Sequence, residues 1–336
     1  MPPADRSTVT SKTPVPSLDS IHAPVKDQLA LVDERMLDLA RVSFQHLAGL
    51  LEHVTGSLGK RVRPTITLLS AGVHPNDGGN AQTMAVAVEL LHIATLVHDD
   101  TVDDSDRRRG RATISNLWGK DTAVLLGDYI FAKSATFVCD TGNIRVIKRF
   151  AETIMELSSG QLHETIVAYQ ADQNMEQYLD RIYNKTASLF TTASESGAIL
   201  SGVSEDRVQA LRNYGYNLGM AFQIVDDILD YEGDPEEVGK PVGNDLLHGI
   251  VTLPALLYRE RNPKDNSIEE LFGHPDEHDR LAPVLQAITN SSAIADSNAR
   301  AEEYGRKALA CLTELPKTPE RDSLEALVSY VLKRRS

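Results

Sequence analysis

Two apolar stretches of this chain each run straight into a cluster of aspartates. The first is ELLHIATLVHDDTVDDSDRRRGRAT, residues 89–113, and the second is ALRNYGYNLGMAFQIVDDILDYEGD, residues 210–234. At helical spacing Asp99 and Asp103 are i and i+4, and so are Asp226 and Asp230, so each pair of carboxylates projects from one helix face. Leu90, Leu91, Ile93, Ala94, Leu96 and Val97 mark the first helix as buried. Leu218, Met220, Ala221, Phe222, Ile224 and Val225 do the same for the second. Buried helices do not end in uncompensated anions by default. Crowded carboxylates repel one another and raise each other's pKa unless cations sit between them. Hard divalent cations meet that need, since Mg²⁺ takes one or two carboxylates and fills its other positions with water and substrate phosphates. A single such cluster reads equally well as a solvated turn; the second copy removes that reading.

The bases have a matching logic. Arg107, Arg108 and Arg109 follow the first cluster, and guanidinium forks suit phosphate oxygens. In GSLGKRVRP, residues 56–64, Lys60, Arg61 and Arg63 precede a helix that Pro64 helps to start. Bases at a helix start oppose the macrodipole, so anion binding explains them better than helix stability does. His92 lies seven residues before Asp99, two turns back on the same face. In YNKTASLF, residues 183–190, Lys185 and Thr186 interrupt an apolar helix, where a buried ammonium needs a partner.

Composition narrows the class. The chain has 336 residues with no linker-like break after residue 25, which favours one large domain from residue 21 to 336 behind a disordered tail of residues 1–20. A net charge of −14 argues against a nucleic-acid partner. Cys139 and Cys311 have no metal-ligand spacing and make no disulfide framework, so a cytoplasmic setting is expected. The first residues lack the apolar core of a secretory signal and are poor in Arg, and no apolar stretch reads as a membrane span. Helical periodicity recurs over 21–53 (one long helix or two joined), 81–98, 118–138 with Gly127 breaking the pattern, 143–170, 172–202, 205–231, 250–260, 281–312 and 319–333. Nothing alternates like a strand, so the expected class is all-α, with the two acidic-ended helices as an internal duplication.

Two such helices facing across one cavity would hold several Mg²⁺ ions, grip a diphosphate and stabilise its departure. No nucleophile–base pair stands out. Loss of a diphosphate from an allylic carbon leaves a carbocation, which apolar walls protect from water.

The motifs GKRVRP, ELLHIATLVHDDTVDDSDRRRG, YNKTASLF, FQIVDDILD and GKPVGNDL occur in that order, and from about residue 25 onward the chain resembles the all-trans polyprenyl diphosphate synthases. The resemblance implies antiparallel helices around a deep central cavity, a homodimer, and head-to-tail condensation of isopentenyl diphosphate with an allylic diphosphate such as farnesyl or geranylgeranyl diphosphate. Carried over by motif, Lys60, Arg63, His92 and Arg109 look like the isopentenyl diphosphate binders. Arg108, Lys185, Thr186, Gln223 and Lys240 look like allylic diphosphate binders or cation stabilisers. Asp99, Asp103, Asp226 and Asp230 look like ligands of Mg²⁺, with three ions per loaded site, and Asp100 and Asp227 complete the motifs. Two departures stand out: Gln161 and Glu164 exchange the Glu and Gln of many relatives, and Ile250 replaces a Lys of some short-chain ones. Ala94 and Thr95, one turn before Asp99, are small where short-chain relatives carry a bulky aromatic. A long product of roughly seven to ten isoprene units is therefore expected for a quinone side chain, with the tunnel floor near Phe131 and peripheral membrane contact for release. Geranylgeranyl diphosphate is the competing product. A terpene cyclase would not need the isopentenyl diphosphate bases, and a non-catalytic synthase subunit would have lost aspartates or bases.

Overall fold

The helical periodicities become helices throughout the computed structural model, which describes residues 15–56, 59–75, 78–108, 110–232 and 242–334. The N-terminal stretch is not one helix. It divides into α1 (Leu18–His22), α2 (Lys26–Leu37) and α3 (Gln45–Thr55). Pro24, which has no N–H to donate, sits in the 3₁₀ turn between the first two. The expected tail falls largely on residues outside the description; from Leu18 the chain is helical, and Ile21 is fully buried.

Two long antiparallel pairs follow from the packing. One is α5 (Gly79–Val102) with α7 (Lys120–Asp140), joined through the short α6 (Ile114–Trp118). Their direction is fixed at both ends. The His98 imidazole of α5 meets the Val124 carbonyl near the start of α7, and Arg35 of α2 reaches both Thr83 and the Phe137 ring at the far end. Gly127 was expected to break this helix, but α7 runs through it unbroken. A Cβ there would lie 2.1 Å from the His98 ring, so the glycine makes room for a neighbour.

The second pair is α10 (Ser188–Ser201) with α11 (Glu205–Glu232), and α4 (Val62–Gly72) lies on the other side of α10. Small residues set these spacings. A Cβ on Gly197 would stand 2.3 Å from the Thr67 carbonyl of α4, and one on Gly219 would stand 2.6 Å from Ala187. Ser194 donates to the Leu211 carbonyl and lies 3.0 Å from the Ser70 hydroxyl, so these two buried hydroxyls satisfy each other. Overpacking so close a contact costs roughly 1–3 kcal/mol. Helices α8 (Ile144–Val167) and α9 (Met175–Ile182), with the later Leu253–Arg261, Leu281–Thr289, Ala293–Cys311 and Pro319–Lys333, complete the bundle. The expected 281–312 helix is thus two helices.

The strand content of the described residues is one two-residue hairpin, Arg107–Arg108 against Arg111–Ala112. The membrane expectation needs one correction: α5 and α7 are both long and apolar enough to cross a bilayer by length and composition. The apolarity of α5 has a plainer cause, since it is packed among α2, α4, α7 and α10.

Candidate active site

The first acidic cluster closes α5. Asp99 lies in its last turn, and Asp103 caps it, donating its backbone N–H to the Asp99 carbonyl at 2.8 Å. Burial pushes the Asp99 carboxyl up to about 6. Lys185 and Arg108 pull against that shift, while Asp103 and Glu164 add to it. Asp100 is buried and accepts from Arg108 Nε at 2.7 Å. That bond ties the hairpin to the helix end, and Gly110 (φ +77°) supplies its left-handed turn residue. Arg109 and Lys240, both expected in the site, lie outside the described residues.

The second cluster closes α11, and its three aspartates are held differently. Asp226 pairs with Arg334 at 2.9 Å. Asp227 is buried and accepts from the Tyr178 hydroxyl at 2.7 Å and the Gln223 amide at 2.9 Å. Its carboxyl rises to about 7, through burial first and repulsion from Asp245 second. Asp230 accepts from the backbone N–H groups of Asn244 and Asp245, both at 3.1 Å. Burial and the Asp245 charge still raise its pKa.

Between the clusters lies the element that joins them. Residues Tyr183–Ala187 form a π-helical turn linking α9 to α10, an insertion common at functional sites. Lys185 leaves it toward the first cluster. Burial alone would lower its pKa, but the Glu164 and Asp99 charges more than offset that and raise it. Thr186 leaves it toward the second cluster, donating to Gln223 Oε1 at 2.7 Å, and Gln223 passes the bond on to Asp227. Gly160 of α8 permits this placement, because a Cβ there would lie 2.8 Å from the Lys185 nitrogen.

The expected isopentenyl diphosphate bases lie on two elements, α4 with the loop before it and α5. Lys60 precedes α4 and Arg63 lies in its first turn, with its guanidinium 4.8 Å from the centre of the Phe190 ring. Phe190 in turn packs on Phe222, ring centres 5.0 Å apart, and Arg334 covers Phe222 at 3.8 Å. This ladder carries contact from the basic loop to Asp226. His92 lines a pocket of about 90 Å³ with Arg108, Arg111 and His53, at the base of the hairpin. Arg61, beside these bases, serves the scaffold: it bonds Asp33 and Glu89, both at 2.8 Å. Ala94 is fully buried, Thr95 donates to the His92 carbonyl at 2.8 Å, and Phe131 packs against the core from α7.

Sequence reasoning missed Glu164 as the partner of Lys185, Tyr178 as the donor to Asp227, and Arg334 at Asp226. The two phenylalanines of the ladder were visible in motifs already singled out, in a chain only 5% aromatic. Among the described residues, no three acidic or histidine side chains stand close enough to form a ready-made metal cluster. The donors are nonetheless all-oxygen, and Asp99 and Asp230 carry raised pKa values that a hard divalent ion would relieve.

The chain is similar to known proteins along most of its length. The polyprenyl synthetase family model matches residues 44–288. Heptaprenyl diphosphate synthase component 2 of Geobacillus stearothermophilus is 38% identical over 94% of this chain and 99% of its own. Octaprenyl diphosphate synthase of Escherichia coli is 33% identical over 95% and 99%. The crystal structure of a polyprenyl synthase from Caulobacter crescentus, complexed with calcium and isoprenyl diphosphate, superposes with a TM-score of 0.91 at 33% identity, covering 96% of this chain and all of that one. With two aspartate-ended helices joined through one lysine–threonine turn, and a match that spans most of its length, the chain belongs to the polyprenyl synthetase family of prenyltransferases.

Proposed function

We propose that the chain condenses isopentenyl diphosphate head-to-tail with an allylic diphosphate, repeatedly, to give an all-trans polyprenyl diphosphate of roughly seven to ten isoprene units. The observation that carries this reading is the π turn: Lys185 faces the Asp99 end of α5, and Thr186 reaches Asp227 through Gln223. One short element thus reaches toward both acidic clusters, which supports their acting on a single diphosphate. Asp99, Asp103, Asp226 and Asp230 would hold Mg²⁺, which when bound supplies Lewis-acid stabilisation of the leaving diphosphate. Lys185 and Arg108 would neutralise the allylic diphosphate, while Lys60, Arg63 and His92 hold the isopentenyl diphosphate. The buried residues before Asp99 keep water from the prenyl chain.

A homodimer fits the surface. Val124 and Leu125 of α7 and Met155, Leu162 and Ile166 of α8 are large apolar side chains left exposed on two long helices. Cysteine usage supports a cytoplasmic setting, and the resemblance supports peripheral membrane contact for product release.

The deciding experiment assays the purified chain alone with labelled isopentenyl diphosphate and farnesyl diphosphate, with and without Mg²⁺, and separates the products by chain length. The chain is used alone because the Geobacillus relative is named as one component of a synthase. Mg²⁺-dependent products of seven to ten units are expected, and Asp99→Ala or Asp226→Ala should cut turnover by several orders of magnitude. Products of four units would move the assignment to geranylgeranyl diphosphate. No incorporation by the chain alone would make it a subunit.

A further inference from the structure

Lys185 has a partner within the protein. Gly160 brings α8 against the π turn, and one helical turn later Glu164 places its carboxylate on the Lys185 ammonium. The same carboxylate lies 3.9 Å from Arg181, whose other bonds go to neutral acceptors, Gln173 Oε1 and the Val251 carbonyl, each at 2.6 Å. Among the described residues, Glu164 is the carboxylate within ion-pair distance of both cations. It is buried, 8% exposed, so its charge is poorly screened by water. An amide at this position would accept the same hydrogen bond without the charge.

We propose that Glu164 is a positioning residue that competes with the substrate diphosphate for Lys185, holding the ammonium toward Asp99 before substrate binds and reclaiming it when the product leaves. The inference rests on the reading of Lys185 as an allylic diphosphate ligand. An incoming diphosphate must share the ammonium with a buried anion that also repels it. The site therefore binds the allylic diphosphate less tightly than its bases alone would allow. It also gives up the finished chain faster, because the cation it leaves behind is neutralised at once.

The test compares wild type with Glu164→Gln and Glu164→Asp. Binding of inorganic pyrophosphate with Mg²⁺ is measured by calorimetry, and steady-state KM values are measured for farnesyl and isopentenyl diphosphates. Pyrophosphate affinity should rise in the order wild type, Asp, Gln, since aspartate draws the charge back by one methylene and glutamine removes it. For Glu164→Gln the gain should be several-fold, with a lower KM for the allylic substrate and an unchanged KM for isopentenyl diphosphate. Its kcat should fall, with a burst of product in the first turnover. Any other affinity order overturns the proposal, as does an equal shift of both KM values. Should Glu164→Gln not fold, Glu164→Asp still decides, because unchanged or weaker pyrophosphate binding overturns the idea. Lys185→Ala separates the two levels. If it leaves pyrophosphate binding unchanged, the assignment of Lys185 is wrong; if it weakens binding while the order fails, only the role of Glu164 falls.

Discussion

Arg334 stands 2.9 Å from the Asp226 carboxylate and lies 3.8 Å over the Phe222 ring, so the C-terminal end of the chain closes on the second aspartate cluster. Its guanidinium also donates to the Phe222 carbonyl at 3.0 Å. Asp226 is more than half exposed, so the ion pair itself contributes little. The buried stacking contributes more, about 1–2 kcal/mol for a desolvated cation on an aromatic face. Arg334→Ala is therefore expected to lower the melting temperature by a few degrees in chelator. It should also lower the Mg²⁺ concentration needed for half-maximal activity, because a competing cation has gone. A higher Mg²⁺ requirement would show that Arg334 assists the metal instead.

Stability without metal should fall as pH rises from about 5 to about 8. Burial holds the Asp99 carboxyl up to about 6 and Asp227 up to about 7. An unfolded aspartate titrates near 3.9. A raised pKa means that the folded state holds the proton more tightly. The associated stability is complete below the unfolded value and is lost as pH climbs through the folded one. Glu205, Glu277, Glu303 and Asp265 are shifted down by their partners and act in the opposite direction. Their contribution is complete by about pH 5. Above it Asp230, also raised, adds to the decline, while His22, whose imidazole burial pushes below its usual value, opposes it. Thermal melts in chelator should show the decline, and Mg²⁺ with inorganic pyrophosphate should flatten it. A rising curve in chelator would contradict the burial argument.

The bases should divide between the two substrates. Arg63 and His92 approach from the α4 and hairpin side, whereas Lys185 faces the Asp99 end of α5 across the π turn. Arg63→Ala and His92→Ala should raise KM for isopentenyl diphosphate about tenfold or more, with little change for the allylic substrate, since hydrogen bonds to charged groups are worth about 1.5–3 kcal/mol. Lys185→Ala should do the reverse. Equal effects on both substrates would mean that the partition is wrong.

Product length should answer to Ala94. It is fully buried one turn before the aspartates, on the helix along which α7 and Phe131 pack. Ala94→Tyr adds a ring at a buried position, at a stability cost of roughly 1–3 kcal/mol. Chromatography should show shorter products, while both substrates are still consumed because the acidic clusters are untouched. Unchanged product length would remove Ala94 from the path of the chain.

The helical class and both aspartate-ended helices were legible because each repeats one pattern, an apolar face followed by carboxylates one turn apart. The lysine–threonine interruption stood out because a buried ammonium is costly. What stayed hidden was set by partners distant in the chain. Gly127 looks like a break until His98, 29 positions earlier, is seen to occupy its missing side chain. The departure at Glu164 was visible, but its meaning needed α8 laid against the π turn. Arg334 could be read as part of a basic terminus, yet not as a neighbour of Asp226, 108 positions away.

The π turn at Tyr183–Ala187 is also a change of phase. Each residue of an α-helix turns the chain by about 100°, so one extra residue in a single turn rotates everything after it relative to everything before. Removing one residue from this turn would restore regular hydrogen bonding. It would also swing the face of α10 that Gly215 and Gly219 admit away from α11. A segment exchange that changed the number of residues in this turn would therefore leave two well-formed helices pointing at the wrong neighbours.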